Sequence, residues 1–506
     1  MSQRQWSQLR RHFSTSFRPG YPPEVGAIAL LGVSRSLHRT DYLVAELLLP
    51  GAGDVRVATH GELVLDSRYL RRAHLAMRQR KLAGLAVFHT HPLADETVGF
   101  SAYDDDQEPL LVENLTEMAP ETEFLSIVAG RRSQCGRVWH GPERWAPLTK
   151  LQVIGDRLDN LSLAGDPAPA PPPPEAVFDR GLALTGAGAL ARLADMDVVV
   201  VGASGTGSLM CELLARGGCR RIRVIDDQAV EDVNLNRILH AGRRHVRTGT
   251  RKVDLIRDSL RAYELDCEVE AIDGNILDAT FLSQIKTADV IVGCVDAAFP
   301  RSLLCDLAYQ YLIPYIDVGS EIGGDPKGLV ALMARTSYVA PGRHCLSCTG
   351  IVEPRRLQFE SLTYEERQRV RRLGYSDDLL ITQPAVMDLN MRAASMGMML
   401  LRHLLQPFLL EPVPVTISEN VLTYTTVAVG APRTPNARCL TCRENPHLGC
   451  GDCGPAIGLD PAAVAAITGR SLSPIGVQTN DIAPKRSTMA GWWRSLFRRR
   501  ARSKNR

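Results

Sequence analysis

A chain of 506 residues, 45% hydrophobic and 23% charged, is long enough for two or three domains and has the balance of an ordinary globular protein. Its formal net charge of +3 excludes a general polyanion binder, so no specific nucleic-acid partner is expected. The absence of an uninterrupted apolar run of about 18 residues predicts no transmembrane helix.

The first 23 residues contain no acid and carry Arg, Ser and Trp6, a composition faintly like a transit peptide. The simpler expectation is a short basic leader, residues 1–19, outside the first domain. Residues 20–150 then alternate elements. Residues 27–31 and 42–49 read as strands and 67–81 as a helix with a basic wet face. Residues 85–88 form a further strand, which delivers His89-Thr90-His91-Pro92.

Histidines at i and i+2 on a strand share one face, so both imidazoles can meet one metal. Ser101-Ala102-Tyr103-Asp104 follows, and Asp104 adds an oxygen ligand. Three protein ligands with one position open make a catalytic zinc site, where the metal polarises a carbonyl and acidifies water. A carboxylate must then accept the water proton and pass it to the leaving amine. Glu24, just before the first strand, is the candidate; Glu46, inside a strand, is the weaker one.

These residues resemble the JAMM/MPN metalloprotease family, whose pattern is an upstream Glu, H-x-H-P, a spacer and S-x-x-D. The resemblance covers about residues 20–140. It implies hydrolysis of peptide or isopeptide bonds after the C-terminal glycine of ubiquitin-like proteins, with Ser101 stabilising the tetrahedral oxyanion. The spacer between Pro92 and Ser101 is eight residues, longer than in the familiar eukaryotic members. Asp105 and Asp106 directly follow Asp104 and compete with it as ligands.

Residues 151–177 read as a Pro-rich linker centred on 165–174, a semi-rigid polyproline II spacer. The second domain, 178–455, opens with a strand at 198–201 and the turn Gly202-Ala203-Ser204-Gly205-Thr206-Gly207. A helix at 209–214 and a strand at 221–225 follow, and the strand ends in Asp226. This is a strand–loop–helix–strand unit: the glycines let backbone approach phosphates and the acid can read a ribose hydroxyl. Asn234, Arg237 and Lys252 can surround a triphosphate, and Asp296 can hold Mg²⁺.

The ordered set G-x-x-G-x-G, D-x(7)-N-x-x-R, the Lys and C-x-D-x(4)-R resembles the ThiF/MoeB family, relatives of ubiquitin-activating enzymes. It covers roughly 178–445, with Ser204 and Gln228 departing from the residues the family usually places there. The resemblance implies ATP-dependent adenylation of a C-terminal glycine carboxylate on a ubiquitin-like or sulfur-carrier protein. It also implies a homodimer in which Arg180 reaches the partner subunit's triphosphate.

Twelve cysteines include three C-x-x-C pairs, which point to zinc in a reducing, cytoplasmic setting rather than to disulfides. Cys345, Cys348, Cys439 and Cys442 are expected to form a closed structural zinc site. Cys450 and Cys453 compete with the second pair; their Gly-rich surround suggests a mobile loop with exposed thiols. Cys211, Cys219, Cys294 and Cys305 read as inert core residues. No cysteine lies between Thr349 and Arg438, where many relatives carry an acceptor thiol, so no thioester can form there. The Met- and Leu-rich helix near 391–405 reads as core or dimer packing.

The last segment, 456–506, ends in a basic tail from Trp492 to Arg506 with seven positive charges, which can meet an anionic membrane surface or nucleic acid. The expected whole is an α/β chain: a JAMM/MPN-like domain followed by a Rossmann-like ThiF adenylation domain. It would use ATP, Mg²⁺ and two Zn²⁺, one catalytic and one structural. Its partners would be a glycine-terminated carrier and a possible conjugating enzyme. The alternative is activation and processing of a sulfur carrier for cofactor or amino-acid biosynthesis.

Overall fold

The computed structural model describes residues 1–165, 175–325, 328–373, 385–410, 412–429 and 438–469. The proline run at 166–174 and the basic tail lie outside the described residues. Among the described residues no helix is long and apolar enough to cross a membrane.

The N-terminal unit is built on a six-stranded sheet in the order β2-β1-β5-β6-β7-β8. Its strands are β1 (Gly26–Arg35), β2 (Thr40–Leu48), β5 (Gly84–Thr90), β6 (Glu123–Ala129), β7 (Gln134–Trp139) and β8 (Trp145–Pro147). A small hairpin of β3 (Val55–Ala58) and β4 (Leu63–Leu65) lies between them in sequence. The apolar run of β1 is buried on both faces because alternate residues enter two different cores. Ala27, Ala29 and Leu31 pack with Leu9 and Phe13 of the helix Gln3–Phe13. Ile28 and Leu30 pack with Tyr69, Ala73 and Met77 of the helix Ser67–Gln79 and with Val112 and Leu115 of the helix Ala102–Met118.

Residues 1–19 therefore do not stand outside the first domain as expected. Ser2 and Gln5 form a capping box that starts the helix, and Leu9 and Phe13 are buried. Arginines on its wet face mask an amphipathic pattern. The range read as a linker also begins with structure: β9 (Lys150–Ile154) pairs antiparallel with β10 (Leu158–Ser162).

The second unit holds an eight-stranded sheet in the order β13-β12-β11-β14-β15-β16-β17-β18. The parallel part comprises β11 (Asp197–Val201), β12 (Arg221–Ile225), β13 (Glu268–Ile272), β14 (Val290–Gly293) and β15 (Tyr315–Asp325). Antiparallel strands β16 (Gly328–Val339), β17 (Thr416–Asn420) and β18 (Thr425–Val429) extend it. Strand order reverses between β11 and β14, which opens a crevice beyond their C-terminal ends. The helix Met387–Leu405 packs on this sheet; Gly397, where a Cβ would lie 2.8 Å from Val318, sits at the closest approach. Packing is thus what the Met-rich helix does.

The two units meet at the opposite, N-terminal ends of the central parallel strands. Asp289, just before β14, is buried; it pairs with Arg39 at 3.1 Å and Lys150 at 3.4 Å and accepts from the Asp197 amide at 3.0 Å. Ser34 Oγ donates to the Lys286 carbonyl at 2.9 Å. The last cysteine pair itself clasps the joint: between Cys450 and Cys453, Gly451 bridges Val33, and Asp452 accepts from the Arg35 amide at 2.8 Å and from Lys286 Nζ at 3.0 Å. Cys450 and Cys453 sit in this clasp rather than on a mobile loop. Cys450 is buried, and burial pushes both thiols up.

Candidate functional site

In the second unit the glycine turn leaves β11 and enters the helix Gly205–Arg216. Gly202 has φ +95°, and a Cβ on Gly207 would lie 1.8 Å from the Gly202 carbonyl oxygen, so no larger residue fits at either of these two positions. Asp226, at the end of β12, holds it closed. One carboxylate oxygen accepts from the Ala203 amide at 2.8 Å and the other from the Gln228 amide at 2.9 Å. Burial pushes the Asp226 carboxyl up, against the pull of Lys252.

A cavity of about 390 Å³ opens at this crevice. Its lining brings together Gly202, Gly205, Asp226, Asn234, Arg237, Lys252 and Asp296. Gly207 lies just inside, in the first turn of the helix. Lys252 begins the helix Lys252–Arg261, is buried, and donates to Gln228 Oε1 at 2.5 Å. Gln228, one of the departures from the family pattern, thus accepts from the cavity's lysine. Asn234 Oδ1 accepts from the Glu231 amide at 3.1 Å, which fixes the loop that carries Arg237. Arg301 does not reach outward; it pairs with buried Asp317 at 3.0 Å and donates to the Asp296 carbonyl at 3.2 Å.

Arg180 stands apart. It is exposed on the 3-10 turn Ala176–Gly181 and does not line the cavity of its own chain. Asn390, from the Met-rich helix, does line it and receives the Ser320 hydroxyl at 2.7 Å. No local motif marked Asn390, because it reaches the cavity only through tertiary packing.

Cys345, Cys348, Cys439 and Cys442 converge, with all four sulfurs within 4.8 Å of one another. Cys345 and Cys439 stand 3.6 Å apart, as do Cys348 and Cys442. Four thiols facing one point with no open side suit a closed tetrathiolate. Cys450 and Cys453 are not among them. Cys211, Cys219, Cys294 and Cys305 are buried, and burial is the main cause that pushes Cys219 and Cys294 up to about 12.

In the N-terminal unit, β5 ends in His89 and Thr90, and His91 follows. Asp104 lies between the imidazoles, 3.2 Å from His89 Nε2 and 3.3 Å from His91 Nε2. His89 Nε2 is buried without a hydrogen-bond partner, and one ligand atom from each of the three residues falls within 4.8 Å of the others. A buried ring nitrogen left without a partner and facing a carboxylate is a donor set that fits a divalent cation. Ser101 caps the helix Ala102–Met118, accepting from the Asp104 amide at 3.2 Å and donating to Asp104 Oδ2 at 2.7 Å. Asp105 turns away to Arg137 at 2.6 Å. Glu24 is buried beside the two histidines; burial pushes its carboxyl up against their pull. Glu46 instead pairs with Arg80 at 2.8 Å.

Residues 178–484 match the model of the ThiF family, and the chain belongs to that family. Among curated proteins it is 35% identical over 142 residues to tRNA threonylcarbamoyladenosine dehydratase 2 of Saccharomyces cerevisiae, covering 27% of this chain and 31% of that one. It is 27% identical to ubiquitin-like modifier-activating enzyme 5 of Caenorhabditis elegans, covering 31% of this chain and 38% of that one. It is 30% identical to the adenylyltransferase and sulfurtransferase MOCS3 of Drosophila ananassae, covering 26% of this chain and 29% of that one. In each case the match spans well under half the relative's length.

Proposed function

We propose that this protein adenylates the C-terminal glycine carboxylate of a small ubiquitin-like or sulfur-carrier protein, and that its N-terminal unit is a zinc hydrolase acting on the same class of partner. The observation that carries the first part is the single crevice joining the glycine turn, Asp226, Asn234, Arg237, Lys252 and Asp296. The turn's amides and the helix N-terminus face the phosphates. Asp226 secures the turn and presents its carboxylate toward the ribose. Arg237 and Lys252 offset the phosphate charge, and Asp296 would hold Mg²⁺, which supplies further charge neutralisation. An oxygen of the carrier carboxylate bonds to the α-phosphorus; the bond to the bridging oxygen breaks and pyrophosphate leaves with the electron pair. The protein's task is positioning and charge compensation. With no thiol between Thr349 and Arg438, the adenylate passes directly to another molecule or to a thiol elsewhere.

What supports the second part is the convergence of His89, His91 and Asp104 beside Glu24. A Zn²⁺ held there would supply a Lewis acid and acidify water. Glu24 holds the proton taken from water on its carboxylate and delivers it to the leaving amine nitrogen. Ser101 orients Asp104 through its single hydroxyl proton; were Asp104 Oδ2 to bind the metal instead, that proton would be free to donate toward the oxyanion. The four-cysteine cluster would hold a structural Zn²⁺. The relatives' names divide among tRNA threonylcarbamoyladenosine dehydration, modifier activation and sulfur-carrier activation; the glycine-carboxylate reading follows the last two, which share the adenylation step.

The test is to incubate the protein with ATP, Mg²⁺ and glycine-terminated carriers and read the carrier by mass spectrometry. An AMP adduct on the C-terminal carboxylate, absent from an Asp296→Ala variant, supports the reading. Carriers left unmodified while ATP is consumed with another carboxylate would refute it.

A further inference from the structure

The N-terminal unit contains a buried cation that no motif predicts. Arg137 on β7 is 1% exposed. Its Nη1 donates to Asp105 at 2.6 Å and its Nε to Glu108 at 2.8 Å. Its guanidinium lies 3.8 Å from the ring centroid of Phe100, with Trp139 at 4.9 Å. Phe100 immediately precedes Ser101, and Asp105 immediately follows Asp104. Arg137 therefore grips the Ser101–Asp104 box from both sides. Glu108, one turn further along the helix, completes the hold: it also accepts from Ser126 Oγ at 2.5 Å and from Trp139 Nε1 at 2.7 Å.

Stability alone does not explain this arrangement. A fully buried ion pair is often replaceable by apolar residues at no cost to the fold. Arg137 Nη2 is moreover left buried with no protein partner, which is unfavourable. Asp104, by contrast, must hold its two oxygens toward two imidazoles at once, and a small rotation of the helix start would spoil this.

We propose that Arg137 is a positioning residue for the His89–His91–Asp104 site, setting the angle at which the helix presents Asp104 to a bound zinc. The inference rests on the zinc-hydrolase reading of that site. A planar fork is needed to bind two carboxylates and stack on an aromatic ring together; lysine provides charge without the fork.

The experiment uses the full chain, with zinc titrated against a chromophoric chelator. Wild type binds two zinc ions, and His89→Ala retains only the cysteine-bound one. Arg137→Lys is expected to weaken the histidine site by about tenfold, the lower range for groups that orient ligands, leaving the cysteine-bound zinc intact. Its kcat on a glycine-extended precursor falls while KM holds. If Arg137→Lys fails to fold, Asp105→Ala removes half the grip at a side chain that is 60% exposed. That variant is expected to bind zinc several-fold more weakly at an unchanged Tm. Affinity within twofold of wild type in a folded variant overturns the inference and leaves the hydrolase reading standing. A wild-type chain that binds only the cysteine-held zinc removes the hydrolase reading and this inference with it.

Discussion

Ser101 and Asp104 are bonded to each other in both directions: the hydroxyl donates to Oδ2 at 2.7 Å and accepts from the Asp104 amide at 3.2 Å. The S-x-x-D pattern is therefore a helix cap as well as a site signature. The same bonds that start the helix fix the rotamer of the proposed metal ligand. Ser101→Ala should lower the stability of the N-terminal unit by about 1 kcal/mol, seen in thermal melts, and should cost hydrolysis more than stability explains. Full hydrolysis with a lowered Tm would leave Ser101 as a cap only.

The two candidate metal sites, His89–His91–Asp104 and the four-cysteine cluster, are separate in sequence and surroundings. Cys345→Ser should release one zinc per chain and loosen the second unit, because a structural zinc contributes folding free energy directly. His89→Ala should release the other zinc and leave ATP chemistry unchanged. Metal analysis of both variants distinguishes these outcomes.

Lys252 is buried at the start of its helix and its Nζ is held by Gln228. Lys252→Ala should reduce adenylation by about a hundredfold, as removal of one preorganised charge contact does. Lys252→Arg should recover little, since a planar guanidinium does not reproduce the ammonium's point contact with Gln228.

The two sites lie on opposite sides of the joint. Glu24 and His89 stand at one end of β1, whereas Ser34 and Arg35 at its other end touch the second unit. Ten residues of strand span about 30 Å. The joint meets the parallel sheet at Asp289, before β14, while the nucleotide crevice lies beyond that strand's far end. If both proposed activities hold, a carrier trimmed at the histidine site would have to leave before the crevice of the same chain could activate it. In a precursor-to-adenylate assay, excess unlabelled mature carrier should dilute the labelled product fully. Protection of the label would indicate direct transfer.

Local patterns in the sequence announced the parts that local chemistry controls. The β-branched strand, the glycine turn and Asp226 fall where they were expected because each position has a backbone reason for its residue. The i, i+2 histidines share a face because strands alternate. The features that were not legible depend on distant partners. Arg39 meets Asp289 across 250 positions, and Asn390 reaches the crevice by helix packing. The glycines around Cys450 read as mobility, yet they allow the backbone to lie against Val33. The helix Gln3–Phe13 was hidden because its arginines outnumber the residues it buries.

The most direct test of the central claim is ATP–pyrophosphate exchange with a panel of small glycine-terminated carriers. The account predicts exchange that requires the free glycine carboxylate, disappears in Asp296→Ala, and persists in His89→Ala. Exchange that proceeds equally without any carrier, or with a carrier whose carboxylate is amidated, would contradict it.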